Sequence, residues 1–180
     1  TYEIVVTDGG STDGSRAWLA EQDDVVLVGM RELEGAVRAF NQAWAVCKGR
    51  YIANFNDDAE YLDCALEKGL DLLEDSPGIG QVAFAFNQDK LSWRVESIRG
   101  RVYANYGVAR RSVVEAVALK QGGPTHYWNP IYHTYAGDSE HSLWIWKLGF
   151  EVAPLLHARV QDHHAQDELR ELNGGGSQVY

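Results

Sequence analysis

The amino-acid sequence predicts an α/β domain with a mostly parallel central sheet and helices on both of its faces. Three observations carry that prediction. Strand-length apolar runs alternate with segments of helical period through the first half of the chain. The runs are continuous in their apolar character, as strands covered on both faces require. Two of them end in acidic clusters, at Asp8 and at Asn56-Asp57-Asp58, and the carboxyl ends of strands are where open sheets of this kind bind ligands.

Taken in order, residues 2–7 are β-rich and stop at the turn Asp8-Gly9-Gly10. Ser11 or Thr12 can cap a helix over residues 13–21, and residues 25–28 form the next apolar run. Val37, Phe40, Ala43, Trp44 and Cys47 then recur at helical spacing until Gly49 stops the pattern. Residues 51–55 make a third strand, followed by a helix over 62–73 that closes at Ser76-Pro77-Gly78. The second half reads as strands at 81–86 and 101–108, with the polar residues Asn87, Gln88, Asp89 and Lys90 between them, then a helix over 110–119. Residues 122–136 hold Tyr127, Trp128, Tyr132 and Tyr135 without periodicity and read as a loop. A helix over 139–148, a short last strand at 150–153 and a flexible, glycine-rich tail over 173–180 complete the chain.

A chain of 180 residues is expected to form one domain, here 1–172. Its 16 basic residues against 26 acidic ones give a net charge of −10, which argues against nucleic acid as a partner. A single phosphate-binding site is compatible with that balance, because backbone amides and a cation can carry the local charge. No apolar run approaches the ~20 residues of a bilayer span. No signal peptide is visible, and the first residue is Thr1. Cys47 and Cys64 lack metal-type spacing, so two packed, reduced thiols and a cytoplasmic or membrane-peripheral location are expected.

The adjacent carboxylates Asp57 and Asp58 repel unless a cation or hydrogen-bond donors offset them. A hard divalent ion does so while leaving positions for phosphate oxygens; a solvated turn or a helix cap is the structural alternative. Asp8-Gly9-Gly10-Ser11-Thr12-Asp13-Gly14-Ser15 lets the backbone approach a ligand, with Asp8 able to accept from a base or ribose. Alone, it reads equally as a strand-to-helix turn. His163 and His164 follow the last predicted strand and suit either a metal or a surface loop. The aromatics of 122–136 suit a stacking platform for a ligand or core packing.

Together these segments resemble family 2 glycosyltransferases. Residues 3–15 are similar to the family's second-strand motif; Gly35 to Asn41, Lys48-Gly49-Arg50-Tyr51-Ile52-Ala53 and Asn56-Asp57-Asp58 follow in the family's order and spacing. Tyr106-Gly107 through Glu115 looks like the segment before the acceptor site, and Gly137-Asp138-Ser139-Glu140 through Phe150 is similar to the late acidic motif and its helix.

The resemblance implies a GT-A fold with a nucleotide- and metal-binding half (1–75) and an acceptor half (80–172). It implies a metal-dependent, inverting hexosyltransferase that moves a sugar from a nucleoside diphosphate donor, a UDP-sugar first, to a saccharide or other hydroxyl acceptor. Asp138 would be the catalytic base, with Glu140 as its substitute. Asp8, Gly9, Gly10, Ser11, Arg38 and Asp57 would face the nucleotide; Asp58, Asn56, His163 and His164 would face Mn²⁺ or Mg²⁺.

Three departures from the family pattern stand out. Asn56 occupies the opening acid of the Asp-x-Asp motif; Phe40 occupies a position where many relatives carry Arg, with Arg38 a possible substitute; and the family's first strand has no counterpart before Tyr2. They keep two rivals open, a non-catalytic domain that binds a saccharide or partner protein, and a nucleotidyltransferase.

Overall fold

The computed structural model describes residues 1–87 and 92–163, and the expectations for 88–90, His164 and the tail lie outside them. The elements are β1 (Ile4–Asp8), α1 (Ser15–Ala20), β2 (Val25–Gly29), α2 (Ala36–Val46), β3 (Tyr51–Asn54), β4 (Ala59–Leu62) and α3 (Ala65–Asp75). They continue with β5 (Ile79–Asn87), β6 (Glu96–Ile98), β7 (Arg101–Tyr103), β8 (Gly107–Arg110), α4 (Arg111–Lys120), α5 (Gly137–Lys147) and β9 (Glu151–Asp162).

A five-stranded sheet of order β3-β8-β5-β9-β4 forms the centre, while β1 and β2 pair in parallel as a separate sheet. The α/β class is as expected, but the central sheet is more mixed than the apolar runs suggest. Of its neighbouring strands only β5 and β9 run in parallel; the β3–β8, β8–β5 and β9–β4 pairs are antiparallel. Continuous apolar character reports burial on both faces and is silent on direction. A strand that returns from the β6–β7 hairpin can be antiparallel and still be covered on both sides.

Every residue of β5 is buried, and its period-2 alternation divides the core. Val82, Phe84 and Phe86 pack with Ala65 and Leu73 of α3. On the other face Ala83 packs with Val113 and Val117 of α4 and Ile145 of α5. Sequence periodicity missed β4 and most of β9, because polar and charged residues such as His157, Arg159 and Gln161 interrupt the latter, and its register against β5 shifts after Phe84. The thiols are free as expected, but Cys64 is exposed at the start of α3 and only Cys47 is part-buried.

Chain direction gathers the strand ends at one edge. Glu3 Oε1 accepts from the amides of Lys48 and Gly49 beyond the end of α2, whereas Thr7 Oγ1 donates to Ala39 near its beginning. Strand β1 therefore runs against α2, as does β3, which returns from it. Since β3 and β5 both oppose β8, and β9 parallels β5, the carboxyl ends of β1, β3, β5 and β9 lie together.

Candidate functional site

At the end of β1, Asp8 is buried and closes its own turn, accepting from the Gly10 and Ser11 amides at 3.2 Å each, with Arg16 3.9 Å away. Hydrogen bonds from Ser11, helped by Gly10 and the Arg16 charge, outweigh desolvation and hold its carboxyl below the usual carboxylate range. Gly10 has φ 94°, and a Cβ there would press on the Arg31 and Glu32 backbone, so the turn tolerates little else. Arg38 pairs with Glu34 at 2.9 Å on the outer face of α2.

The end of β3 carries a second cluster. Asn56 Nδ2 donates to the Tyr106 hydroxyl at 3.3 Å, leaving its carbonyl oxygen as the atom able to face a cation. Tyr106 also hydrogen-bonds Asp162, and burial, then the Asp162 and Asp58 charges, push its phenol well above the ordinary range. Asp162, buried at the end of β9, is a site residue that sequence reasoning passed over, although it precedes His163 directly. The His163 amide donates to the Asp58 carbonyl at 2.7 Å, while its imidazole lies 3.6 Å from Glu60. Asp57 sits exposed in the intervening turn.

Among the described residues no three of His, Cys, Asp and Glu converge as a metal-binding group. The Asp58 carboxylate and Asn56 carbonyl are hard oxygen donors. They fit an ion of the Mg²⁺ or Mn²⁺ kind, which binds through one or two carboxylates and completes its shell with phosphate oxygens and water.

The third component is the first turn of α5. Asp138 accepts from the Ser139 amide at 2.7 Å and from Asn105 Nδ2 at 3.0 Å. Desolvation outweighs both bonds and raises its carboxyl above the usual range. Glu140, two residues on, points elsewhere: its Oε1 takes Asn129 Nδ2 and Trp144 Nε1, each at 3.3 Å.

Residues 104–106, the bend between β7 and β8, join these clusters: Asn105 reaches Asp138, and Tyr106 reaches Asn56 and Asp162. Neither residue was singled out by sequence. Tyr106 opens the family-like segment 106–115, but nothing in its spacing marks it.

The loop aromatics divide. Tyr127 and Trp128 are buried at 3% and 8% exposure and belong to the core, so they form no open platform. Phe40, in the family's Arg position, lies 4.3 Å from Trp128, and Asn41 brackets the Trp128 backbone through both amide atoms at 2.8 and 2.9 Å. Ile131 and Tyr135 remain exposed. Two cavities, of about 470 and 370 Å³, open near the opposite edge, the second among Arg50, Arg110 and Arg111. Backbone carbonyls at the ends of α2 and α3 already occupy the Arg110 and Arg111 guanidiniums.

Beneath the acidic turn, His141 is 1% exposed; Nδ1 donates to the Tyr127 carbonyl at 2.8 Å and Nε2 is buried without a partner. Burial depresses its pKa from 6.5 to about 4. Because the folded value lies below the unfolded one, its contribution to stability is complete above pH 6.5 and is lost as pH falls towards 4. The loss is on the order of 3 kcal/mol. Melting temperature is expected to drop across that window, and His141→Gln, which keeps an N–H donor, should flatten the drop.

The architecture matches the GT-A fold of solved glycosyltransferases. The mannosyltransferase PcManGT from Pyrobaculum calidifontis, in complex with GDP-Man and Mn²⁺, matches with a TM-score of 0.66 at 20% identity, over 94% of this chain and 50% of that one. GalNAc-T7, with UDP, GalNAc and Mn²⁺, matches at 0.64 and 11% identity, over 89% and 37%. The chain thus spans half or less of these proteins. No curated protein matches it. The family model for Glycosyl transferase family 2 matches residues 1–134, and the chain belongs to that family.

Proposed function

We propose that the chain transfers a hexosyl group from a nucleoside diphosphate sugar, a UDP-sugar first, to a hydroxyl acceptor with inversion at the anomeric carbon. One observation carries the reading: the 104–106 bend ties a part-buried carboxylate, Asp138, to the oxygen-rich cluster of Asn56, Asp58 and Asp162. Asp138 accepts the proton of the acceptor hydroxyl as its oxygen bonds to the anomeric carbon, and the bond to the nucleoside diphosphate breaks. A carboxyl with a raised pKa is better matched to that transfer near neutral pH than an ordinary one. Glu140 is the alternative base. Asp8, Gly9, Gly10 and Ser11 would line the nucleoside, and Arg38 and Asp57 would stand at the same edge.

Asp58 and the Asn56 carbonyl would hold Mn²⁺ or Mg²⁺, with His163 and His164 as further candidates. Bound there, the ion offsets the charge of the departing diphosphate. The two solved neighbours contain Mn²⁺ with a nucleotide or nucleotide sugar, which supports use of a divalent metal. Among the described residues no helix is long and apolar enough to cross a membrane.

Calorimetric titration of UDP and GDP, with and without Mn²⁺, tests the donor half of the reading. Binding that requires Mn²⁺ is expected. Equal affinity in its absence would remove the metal from the reading, and no binding of either nucleotide would favour the non-catalytic alternative.

A further inference from the structure

We propose that Asn105 positions Asp138, and that Asn54 at the end of β3 holds Asn105 in register, so that base and donor edge form one mechanical unit. The inference rests on the reading of Asp138 as the base and extends it to two residues that carry no signal in the sequence.

The bend is fastened at each of its three residues. The Ala104 amide donates to Ser142 Oγ on α5 at 3.1 Å, and Ser142 donates onward to Gln81 at 2.9 Å. The Asn105 carbonyl accepts from Asn54 Nδ2 at 2.8 Å. The Tyr106 carbonyl accepts from the Phe84 amide in β5 at 2.9 Å. Asn54 is itself buried, and its carbonyl takes the Tyr61 hydroxyl at 2.8 Å. Side chains at 105 and 106 therefore leave a backbone pinned to α5, β3 and β5 together.

Asn105 pays unevenly for its place. Its Nδ2 reaches Asp138, but its Oδ1 is buried without a partner. A buried, half-satisfied amide is costly, and leucine would fill similar space without that cost. What explains the amide is the carboxylate it reaches. An ionised carboxylate only accepts, so the amide nitrogen must face it, and the donated bond favours the proton-free form that a base needs.

The groups that can titrate around this contact are Glu140 and His141 on α5, Tyr127 on the preceding loop, and Tyr106 with Asp58 and Asp162 across the bend. Tyr127 is close enough to sense the Asp138 charge. The Asp138 carboxyl is acted on by burial, the Ser139 amide, its own amide and Asn105, so Asn105 is the side chain whose removal should register.

The test is a ¹³C NMR titration of the Asp138 carboxyl in the wild-type chain, Asn105→Leu and Asn105→Asp, with Asp138→Asn to assign the signal. Loss of the donor should move the midpoint up by about one pH unit in Asn105→Leu, a tenfold change. The shift should be larger in the isosteric Asn105→Asp, where two carboxylates compete for a proton. A packing role alone predicts an unmoved midpoint in Asn105→Leu, which keeps the volume and removes only the donor, and that result overturns the proposal; Asn105→Asp shows that the signal responds to charge at this position. Should the leucine variant not fold, Asn54→Ala carries the test: it frees the Asn105 carbonyl and leaves the amide in place, the Asp138 midpoint should again move up, and an unmoved midpoint overturns the proposal.

Release of UDP from UDP-glucose with Mn²⁺ gives the second readout. In Asn105→Asp, kcat at pH 6 should fall about tenfold or more and recover as pH rises, with donor KM unchanged. If Asp138→Asn keeps its turnover, the base reading fails, while the NMR titration still decides the role of Asn105.

Discussion

Asp138→Asn is expected to lower kcat for sugar transfer by about 10²–10⁴-fold, the usual contribution of a positioned general base, while nucleotide affinity stays within about twofold of wild type. The amide is isosteric but cannot take a proton from an acceptor hydroxyl at neutral pH. Its oxygen can still accept from the Ser139 amide, and its nitrogen can donate to Asn105 once that amide turns over to present Oδ1 in place of Nδ2, which leaves one Asn105 amide atom without a partner as in the wild type.

Stability should move the other way from activity. The folded pKa of Asp138 lies above the ordinary carboxylate range, so the wild-type chain loses stability as pH rises towards the folded value and the carboxyl ionises. The asparagine variant is spared this, and its melting temperature at pH 7 should equal or exceed that of the wild type. Wild-type activity should rise with pH across the same interval. A variant that loses activity together with several degrees of melting temperature would point to a structural role for Asp138 instead.

How much of this was legible beforehand depends on what each feature needs in order to be seen. The first-half elements follow from period and turn chemistry: α2 is written in Val37, Phe40 and Trp44, and β1 ends where Asp8, Gly9 and Gly10 require a turn. Strand direction was not legible, because burial on both faces leaves the same apolar signature in β8 whichever way it runs. The long β9 was lost among charged residues that alternate with buried ones. Tyr127 and Trp128 could not be assigned to core or surface, since their burial depends on Asn41 and Phe40 arriving from α2.

The site divides in the same manner. Asp8, Asp58 and Asp138 are visible as candidates because they fall within family-like motifs. Asn54, Asn105, Tyr106 and Asp162 are not, because their significance lies in contacts between β3, the 104–106 bend and β9. An asparagine before a tyrosine carries no periodic or compositional signal. The family resemblance supplied the order of motifs, whereas the three-dimensional arrangement supplied the link between them.

Asp58→Ala is the complementary test, acting on donor affinity. The substitution leaves the Asp58 carbonyl to receive the His163 amide, so the β4–β9 margin keeps its backbone bond. It removes one hard oxygen donor and one of the charges around Tyr106. Supporting groups around metal sites are each worth about 10–100-fold in affinity, so loss of a direct ligand should weaken Mn²⁺-dependent nucleotide binding by about 100-fold or more. With the metal chelated, nucleotide binding should be lost in the wild type and no weaker in the variant, since the uncompensated Asp58 carboxylate repels the diphosphate. Asn56→Asp should act in the opposite sense on the metal, since it restores a charge at the opening position of the motif. The two variants together separate ligand loss from local disruption: a damaged turn weakens binding in both, whereas a cation site loses affinity with Asp58→Ala and gains it with Asn56→Asp. If Asp58→Ala retains full Mn²⁺-dependent binding, the cation is held elsewhere, and the carboxylate cluster around Tyr106 serves only to anchor β4 against β9.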